Sequence, residues 1–335
     1  MLLPAYAIAL GLALALTPLS VRLAWAIGYL DHPEARKLHT AATALLGGAV
    51  VFASALIAWW IALRIGNRPI DALGTQVLPL VSGAAISLAW GLWDDRFGMG
   101  VRLKLVGQLL AGACLVAAGA IPDFGLPDWI EIAIMMFTLV ALMNAVNFLD
   151  NMNGMIAGYA AIALLGFAFG SILRHSYGLA AAQLALAGAC VGFLPWNFPK
   201  ARIFLGDAGS LLLGYSLGAS AILGFTGMPV GWGRWGTLFA LAYPAFDIIF
   251  VVVTRLRDGR KVQQGGKDHS NHRIARWIQC PKRTVILLWV SGAVLSVSGL
   301  VVQSLNRPIP LLLSWGLWMV IFLWMGRRLS SVPSQ

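Results

Sequence analysis

Charge is scarce in this sequence. Only 11% of its 335 residues are Asp, Glu, Lys or Arg, against about a quarter in a soluble domain of ordinary composition. With 59% hydrophobic residues, that scarcity excludes a water-soluble globular fold. Acids are rarer than bases, 13 against 24, giving a net charge of +11. In a soluble chain such a surplus raises nucleic-acid binding. Here the bases are not interleaved with aromatics as in an RNA or DNA binder, and no nucleic-acid partner is expected. The surplus reads as membrane topology, anionic lipid and anionic substrate. Cysteine is nearly absent. Cys114, Cys190 and Cys280 stand singly, with no CxxC pair, which excludes a disulfide framework and a cysteine zinc site.

What the chain has is hydrocarbon, in eleven runs at residues 2–27, 45–63, 75–93, 103–120, 129–149, 155–173, 179–196, 210–225, 236–253, 284–303 and 308–325. Each approaches the ~20 apolar residues that a membrane span needs. None shows the two-residue alternation of barrel strands, so helices are expected. The predicted fold class is all-α, a polytopic membrane protein of about eleven transmembrane helices, or ten if one run does not cross. Residues 1–335 read as a single integral membrane domain. Residues 255–283 form a basic loop within it, too short for a domain but with room for a short helix. Run 2–27 lacks a basic segment before it and a small-residue cleavage site, and reads as a retained span. Of the 24 Lys and Arg, only Arg64, Arg68, Arg174, Arg234 and Arg307 fall in one set of alternating loops, and Arg22 sits within the first run. The rest share the opposite face. The positive-inside rule then places the N-terminus outside and the C-terminus in the cytoplasm.

Five polar clusters interrupt the hydrocarbon, all on that basic face. Asp94 and Asp95 close the third run, where the negative end of a helix suits carboxylates poorly. They want a cation, supplied by Lys104, Arg102 or a divalent metal; a solvated ion pair is the plain alternative. Asn144, Asn147, Asp150, Asn151 and Asn153 crowd the end of the fifth run. Asn144, Asn147 and Asn151 share a helical face, and four Asn with one Asp exceed what interhelical hydrogen bonding requires. In Phe204–Ser210, Asp207 suits a helix N-cap as well as a ligand role, and the helix start would offer backbone amides to a phosphate. Phe204 is an aromatic placed to stack on a base. In Asp31–His39, Arg36 and Lys37 also serve topology, whereas His39 has no topological reason to be there. In Gly265–Arg273, His269, His272 and Arg273 suit phosphate better than zinc, with contact to anionic lipid as the alternative. Asp247 lies inside the ninth run, where a carboxylate costs roughly 2.5–3.5 kcal/mol on insertion scales. No chemical role is assigned to it.

The motifs Asp-x-Pro-x-x-Arg-Lys-x-His, Asp-Asp, Asn-Ala-Val-Asn-Phe-x-Asp-Asn-x-x-Gly, Phe-x-Gly-Asp-x-Gly-Ser and His-x-x-His-Arg follow one another from Asp31 to Arg273. In this order the chain resembles the polyprenyl-phosphate N-acetylhexosamine-1-phosphate transferases, Mg²⁺-dependent bacterial inner-membrane enzymes that begin lipid-linked glycan synthesis. The resemblance implies transfer of a sugar-1-phosphate, GlcNAc-1-phosphate first among the candidates, from a UDP-N-acetylhexosamine to polyprenyl phosphate, with release of UMP at the cytoplasmic face. It implies Asp94, Asp95 and Asp207 as catalytic, metal-linked acids, with Asp207 the leading ligand for Mg²⁺ or Mn²⁺. Lys104 would face the lipid phosphate and Phe204 would stack on uracil. Asn144, Asn147, Asp150 and Asn153 would line the nucleotide-sugar site. Arg36, Lys37, His39, His269, His272 and Arg273 would engage phosphate or sugar. A homodimer is compatible with the pattern.

Three departures stand out. Asn153 occupies a position where the family usually has Asp, which raises a catalytically weakened relative as one reading. Ala42 and Ala44 replace common prolines. Ser270-Asn271 replaces a run of histidines, which argues against the phospho-N-acetylmuramoyl-pentapeptide branch. A secondary transporter is the rival from another class. Transporters gather polar groups at the midplane of repeated halves, and only Asp247 fits that pattern.

Overall fold

The computed structural model describes residues 1–32, 42–66, 74–261 and 266–333; Arg36, Lys37 and His39 lie outside these. Its helices are α1 (Leu2–Ala26), α2 (Gly47–Ile65), α3 (Gly74–Phe97), α4 (Val101–Ala117), α5 (Asp128–Leu149), α6 (Met155–Leu173), α7 (Tyr177–Asn197), α8 (Gly206–Thr226), α9 (Ala242–Arg257), α10 (Ser270–Ile278), α11 (Pro281–Leu305) and α12 (Pro308–Ser330). Apolar runs of this length become helices because hydrocarbon leaves each backbone N–H and C=O no partner outside its own segment. Pro281 and Pro308 open α11 and α12, where a missing N–H costs nothing.

Among the described residues ten helical stretches are long and apolar enough to cross a membrane. The 17-residue α4 is the eleventh crossing. At 1.5 Å per residue it is about 25 Å long, near the lower limit for a span. Connectivity requires it. The starts of α4 and α8 and the last turn of α5 meet in one cluster of side chains. Since α5 ends there, its start is at the far end, and α4 must carry the chain across. At that far end the buried Glu131 accepts hydrogen bonds from the Phe124 and Leu126 amides at 2.7 and 3.0 Å, closing the α4–α5 turn.

The bundle is built around α8, whose spanning segment is 94% buried, against 6% for the peripheral α12. Small residues on α8 (Gly209, Ser210, Gly214, Ser216, Gly218) admit close neighbours, as membrane helix packing requires. α3 and α5 pack most extensively along it, with α2 and α6 beside them. A Cβ on Gly48 of α2 or Gly91 of α3 would run into the backbone of Gly209 or Ala208. Neither helix can therefore carry a larger residue where it meets the first turn of α8.

Two features differ from the expected runs. The ninth crossing is not one α-helix over 236–253. A 3₁₀ helix, Gly233–Leu241, leads into α9, and backbone contact between Gly236 and Gly299 fixes this tighter segment against α11. A two-residue antiparallel ladder, β1 (Leu30–Asp31) with β2 (Thr43–Ala44), also interrupts the otherwise all-helical chain. It forms because Ala44 bridges to Ile203 while the Gly47 and Gly48 amides bond the Phe204 and Leu205 carbonyls. The segment before α8 thereby gains backbone partners.

Because backbone lies directly opposite Gly91, Gly91→Val is expected to cost at least the 1–3 kcal/mol typical of overpacking. It should lower the melting midpoint in detergent well below that of a Gly11→Val control, whose site is open. Equal midpoints for the two would contradict the close α3–α8 approach.

Candidate active site

Asp94 and Asp95 lie in the last turns of α3, where the helix dipole opposes them. Partners from elsewhere relieve each one. Asp94 Oδ1 accepts the Met99 amide at 2.6 Å, and Oδ2 lies 2.6 Å from Lys104 Nζ. Asp95 reaches across to the start of α8, accepting the Asp207 amide at 2.7 Å and the Ala208 amide at 3.1 Å. It is thus the side-chain cap of a helix to which it does not belong. Leu205 stands at the cap position and makes no such bond, and Asp207 lies inside the first turn. Gly206 is at φ +71°, and a Cβ there would strike the Asp95 carboxylate, so the junction requires glycine. The amides foreseen as a phosphate cradle are therefore taken by Asp95.

The Asp207 side chain meets two other helices. Its Oδ2 lies 3.0 Å from Lys104 Nζ, and its Oδ1 accepts from Asn147 Nδ2, which also donates to Ser210 Oγ at 2.7 Å. Lys104 consequently bridges Asp94 and Asp207. Carboxylate oxygens from α3 and α8 converge on one cationic point, and Asn147 fixes the rotamer of Asp207. Asp150, at the C-cap of α5, is pushed up to about 7 by burial and by the charge on Asp207.

The remaining asparagines separate by task. Asn144 lies one helical turn deeper and donates to Gln108 Oε1 on α4 at 3.0 Å. Exposed Asn153 donates to the Pro199 carbonyl at 3.1 Å. Asn151 accepts from Asn271 Nδ2 at 2.7 Å, tying the end of α5 to α10. Half-buried Phe204 is held by its backbone, its amide donating to Ala44 and its carbonyl accepting from Gly47.

The histidine segment rests on buried ion pairs. Asp268 accepts two bonds from Arg255, at 2.8 and 2.7 Å, with Arg260 at 3.2 Å. Burial alone would raise its pKa; the bonds and charge of Arg255 outweigh it and hold the carboxyl at about 2. Arg273 is turned inward. It donates to the carbonyls of Asp268, Leu329 and Val332 and lies over Phe250. His269 lies with its ring centroid 6.0 Å from that of Phe148, the neighbour of Asn147, and bonds Asp247. His272 is buried, and burial followed by the nearness of His269 pulls its pKa down to about 4.

The described part of the site thus brings Asp94, Asp95, Lys104, Asn147, Asp150 and Asp207 together, with Phe204 in the segment just before α8. His269 borders the α5 end of the group. The guanidinium of Arg273 and the amide of Asn144 are spent on protein partners. Sequence reasoning missed Ser210, Gln108 and Asn197. Asn197 bonds the Gly154 amide and the Ile203 carbonyl, joining two of the polar segments. The usable signal was an amide at the end of an apolar run, which is what marked Asn144 and Asn147.

A bundle of long apolar helices with acids, amides and histidines gathered at one end of its spans is a multi-pass membrane protein. Residues 77–225 match the profile of glycosyl transferase family 4. The chain is 27% identical over 309 residues to the probable undecaprenyl-phosphate N-acetylglucosaminyl 1-phosphate transferase of Bacillus subtilis, covering 90% of this chain and 84% of that protein. It is 32% identical over 295 residues to the decaprenyl-phosphate N-acetylglucosaminephosphotransferase of Mycobacterium leprae, covering 77% and 73%. It is 28% identical over 326 residues to the phospho-N-acetylmuramoyl-pentapeptide-transferase of Desulforudis audaxviator, covering 88% and 95%. The chain belongs to the polyprenyl-phosphate N-acetylhexosamine-1-phosphate transferases of glycosyl transferase family 4.

A histidine whose folded pKa lies below its unfolded value binds fewer protons when folded, so protonation favours unfolding. For His272 the stabilising neutral form is complete above about pH 6.5 and is lost as pH falls toward about 4. The melting midpoint in detergent should fall across that window, and less steeply in His272→Asn; identical slopes would contradict the assignment.

Proposed function

We propose that this enzyme transfers GlcNAc-1-phosphate from UDP-GlcNAc to a polyprenyl phosphate, releasing UMP at the cytoplasmic face of a bacterial plasma membrane. The observation that carries the reading is the convergence of Asp94 and Asp207 on Lys104 beside the capped start of α8. An oxygen of the lipid phosphate attacks the sugar-side phosphorus of the donor. The bond from that phosphorus to UMP breaks, and the anomeric C–O bond survives. The obstacle is repulsion among three phosphate groups, so charge neutralisation and in-line placement dominate the chemistry. The lipid phosphate has its second pKa near ~6 and is largely deprotonated already; Asp94 is therefore needed to place charge more than to remove a proton.

The donor set fits Mg²⁺. Two carboxylate oxygens from different helices face one cationic point, whereas no group of three His, Cys, Asp or Glu suited to a metal occurs among the described residues. Magnesium characteristically takes one or two carboxylates and completes its shell with water and substrate phosphates. Asp207 and Asp94 would hold it, and bound there it would neutralise developing phosphate charge. Asp95 gives both oxygens to backbone amides and is better suited to fixing the α3–α8 junction. Lys104 supplies the protein's own positive charge toward the lipid phosphate. Asn147 keeps Asp207 aimed. Phe204 offers a face to uracil.

GlcNAc is preferred to the muramoyl-pentapeptide substrate because Ser270 and Asn271 stand where that branch carries histidines, and each is already engaged, with Asp247 and Asn151.

The test is UMP release in detergent. UDP-GlcNAc should support it only with added polyprenyl phosphate and Mg²⁺, and UDP-MurNAc-pentapeptide should not. No release with any UDP-sugar would end the reading. Asp207→Asn should abolish turnover with membrane insertion intact; near-normal activity would remove Asp207 from the metal site. Phe204→Ala should raise the donor KM more than the lipid KM, and an unchanged donor KM would exclude stacking.

A further inference from the structure

The carboxylate of Asp247, 1% exposed, is fully engaged at the start of α10. Its Oδ1 accepts the Ser270 amide at 2.7 Å and the Ser270 hydroxyl at 2.5 Å. Its Oδ2 lies 2.7 Å from His269 Nδ1. A carboxylate oxygen only accepts, so Nδ1 is the donor in this bond, and a ring carrying that single proton has its lone pair on Nε2. Among the described residues Nε2 has no protein partner. The ring borders Phe148, next in sequence to the Asn147 that holds Asp207.

We propose that Asp247 is a positioning residue for the transfer reaction, holding His269 as the Nδ1–H tautomer so that Nε2 meets a hydroxyl or amide N–H of the donor's sugar. The inference rests on the transferase reading above and adds to it the source of His269's orientation. Capping α10 needs only one carboxylate oxygen, and Oδ1 already does that. The second oxygen is turned on the histidine. The arrangement matches the general rule that an imidazole's working nitrogen is set by what the other nitrogen bonds. It also gives a reason to keep a carboxylate inside a spanning segment. Phosphate contacts are left to Lys104 and the cation, while His269 reads a neutral donor group.

Asp247→Asn keeps the size and an acceptor for the Ser270 amide but turns an NH₂ toward Nδ1, forcing the other tautomer. Loss of the orienting partner of a metal-bound histidine typically costs about 10- to 100-fold, and a fall of that order is expected here in kcat/KM for UDP-GlcNAc. Tyr243→Phe, which removes only the hydroxyl near Ser270, should stay within about twofold of wild type. In a double-mutant cycle, Asp247→Asn combined with His269→Ala should be no worse than His269→Ala alone. In ¹⁵N-histidine-labelled protein, the His269 signals should show protonated Nδ1 in the wild type and protonated Nε2 in Asp247→Asn. Multiplicative losses in the cycle, or a tautomer unchanged by Asp247→Asn in active protein, would overturn the proposal alone. Wild-type protein releasing no UMP would overturn the transferase reading and this proposal with it.

Discussion

The rest of the structure depends on where the negative end of α3 meets the positive end of α8. Two adjacent carboxylates at a helix C-terminus, close to hydrocarbon, have no reason to be stable by themselves. Asp95 resolves this by bonding the first amides of α8, and Asp94 by drawing in Lys104 from α4. Each solution requires another helix to start at that level of the membrane. The junction therefore sets the vertical register of α3, α4 and α8, and Asn147 adds α5 through Asp207. Gly91 and Gly206 are the steric side of the same constraint, since any side chain there would push the dipole ends apart.

Polar groups in this bundle divide into those that hold helices together and those left facing the site. Asn144, Arg273, Asp268 and Asp95 are bonded to protein partners. Lys104, Asp94 and Asp207 instead satisfy one another through a compact ion group of three side chains from three helices. A composition reading treats the two kinds alike, because both lie where an apolar run ends.

Much of the architecture was legible because hydrocarbon leaves few options. Runs of about twenty apolar residues give helices, and the polar clusters fell at one end of them. The clustering of Asp94, Asp95, Asp207 and Asn147 followed from that threading. The finer roles were not legible. Asp207 suited a cap as well as a ligand because it precedes an apolar run, but the cap comes from Asp95, 112 positions away, and no local pattern encodes such a partner. The 3₁₀ segment before α9 was likewise hidden, because it packs by backbone contact against Gly299, about 60 positions further along the chain. Asp247 was visible as an anomaly and not as a partner of His269, which lies 22 residues on.

The grip of Arg273 on the Leu329 and Val332 carbonyls couples the histidine-bearing helix to the last residues of the chain. Load applied just beyond Val332 is thus felt at Arg273. A truncation or substitution that moved those two carbonyls would therefore reach the helix that His269 caps through a single guanidinium.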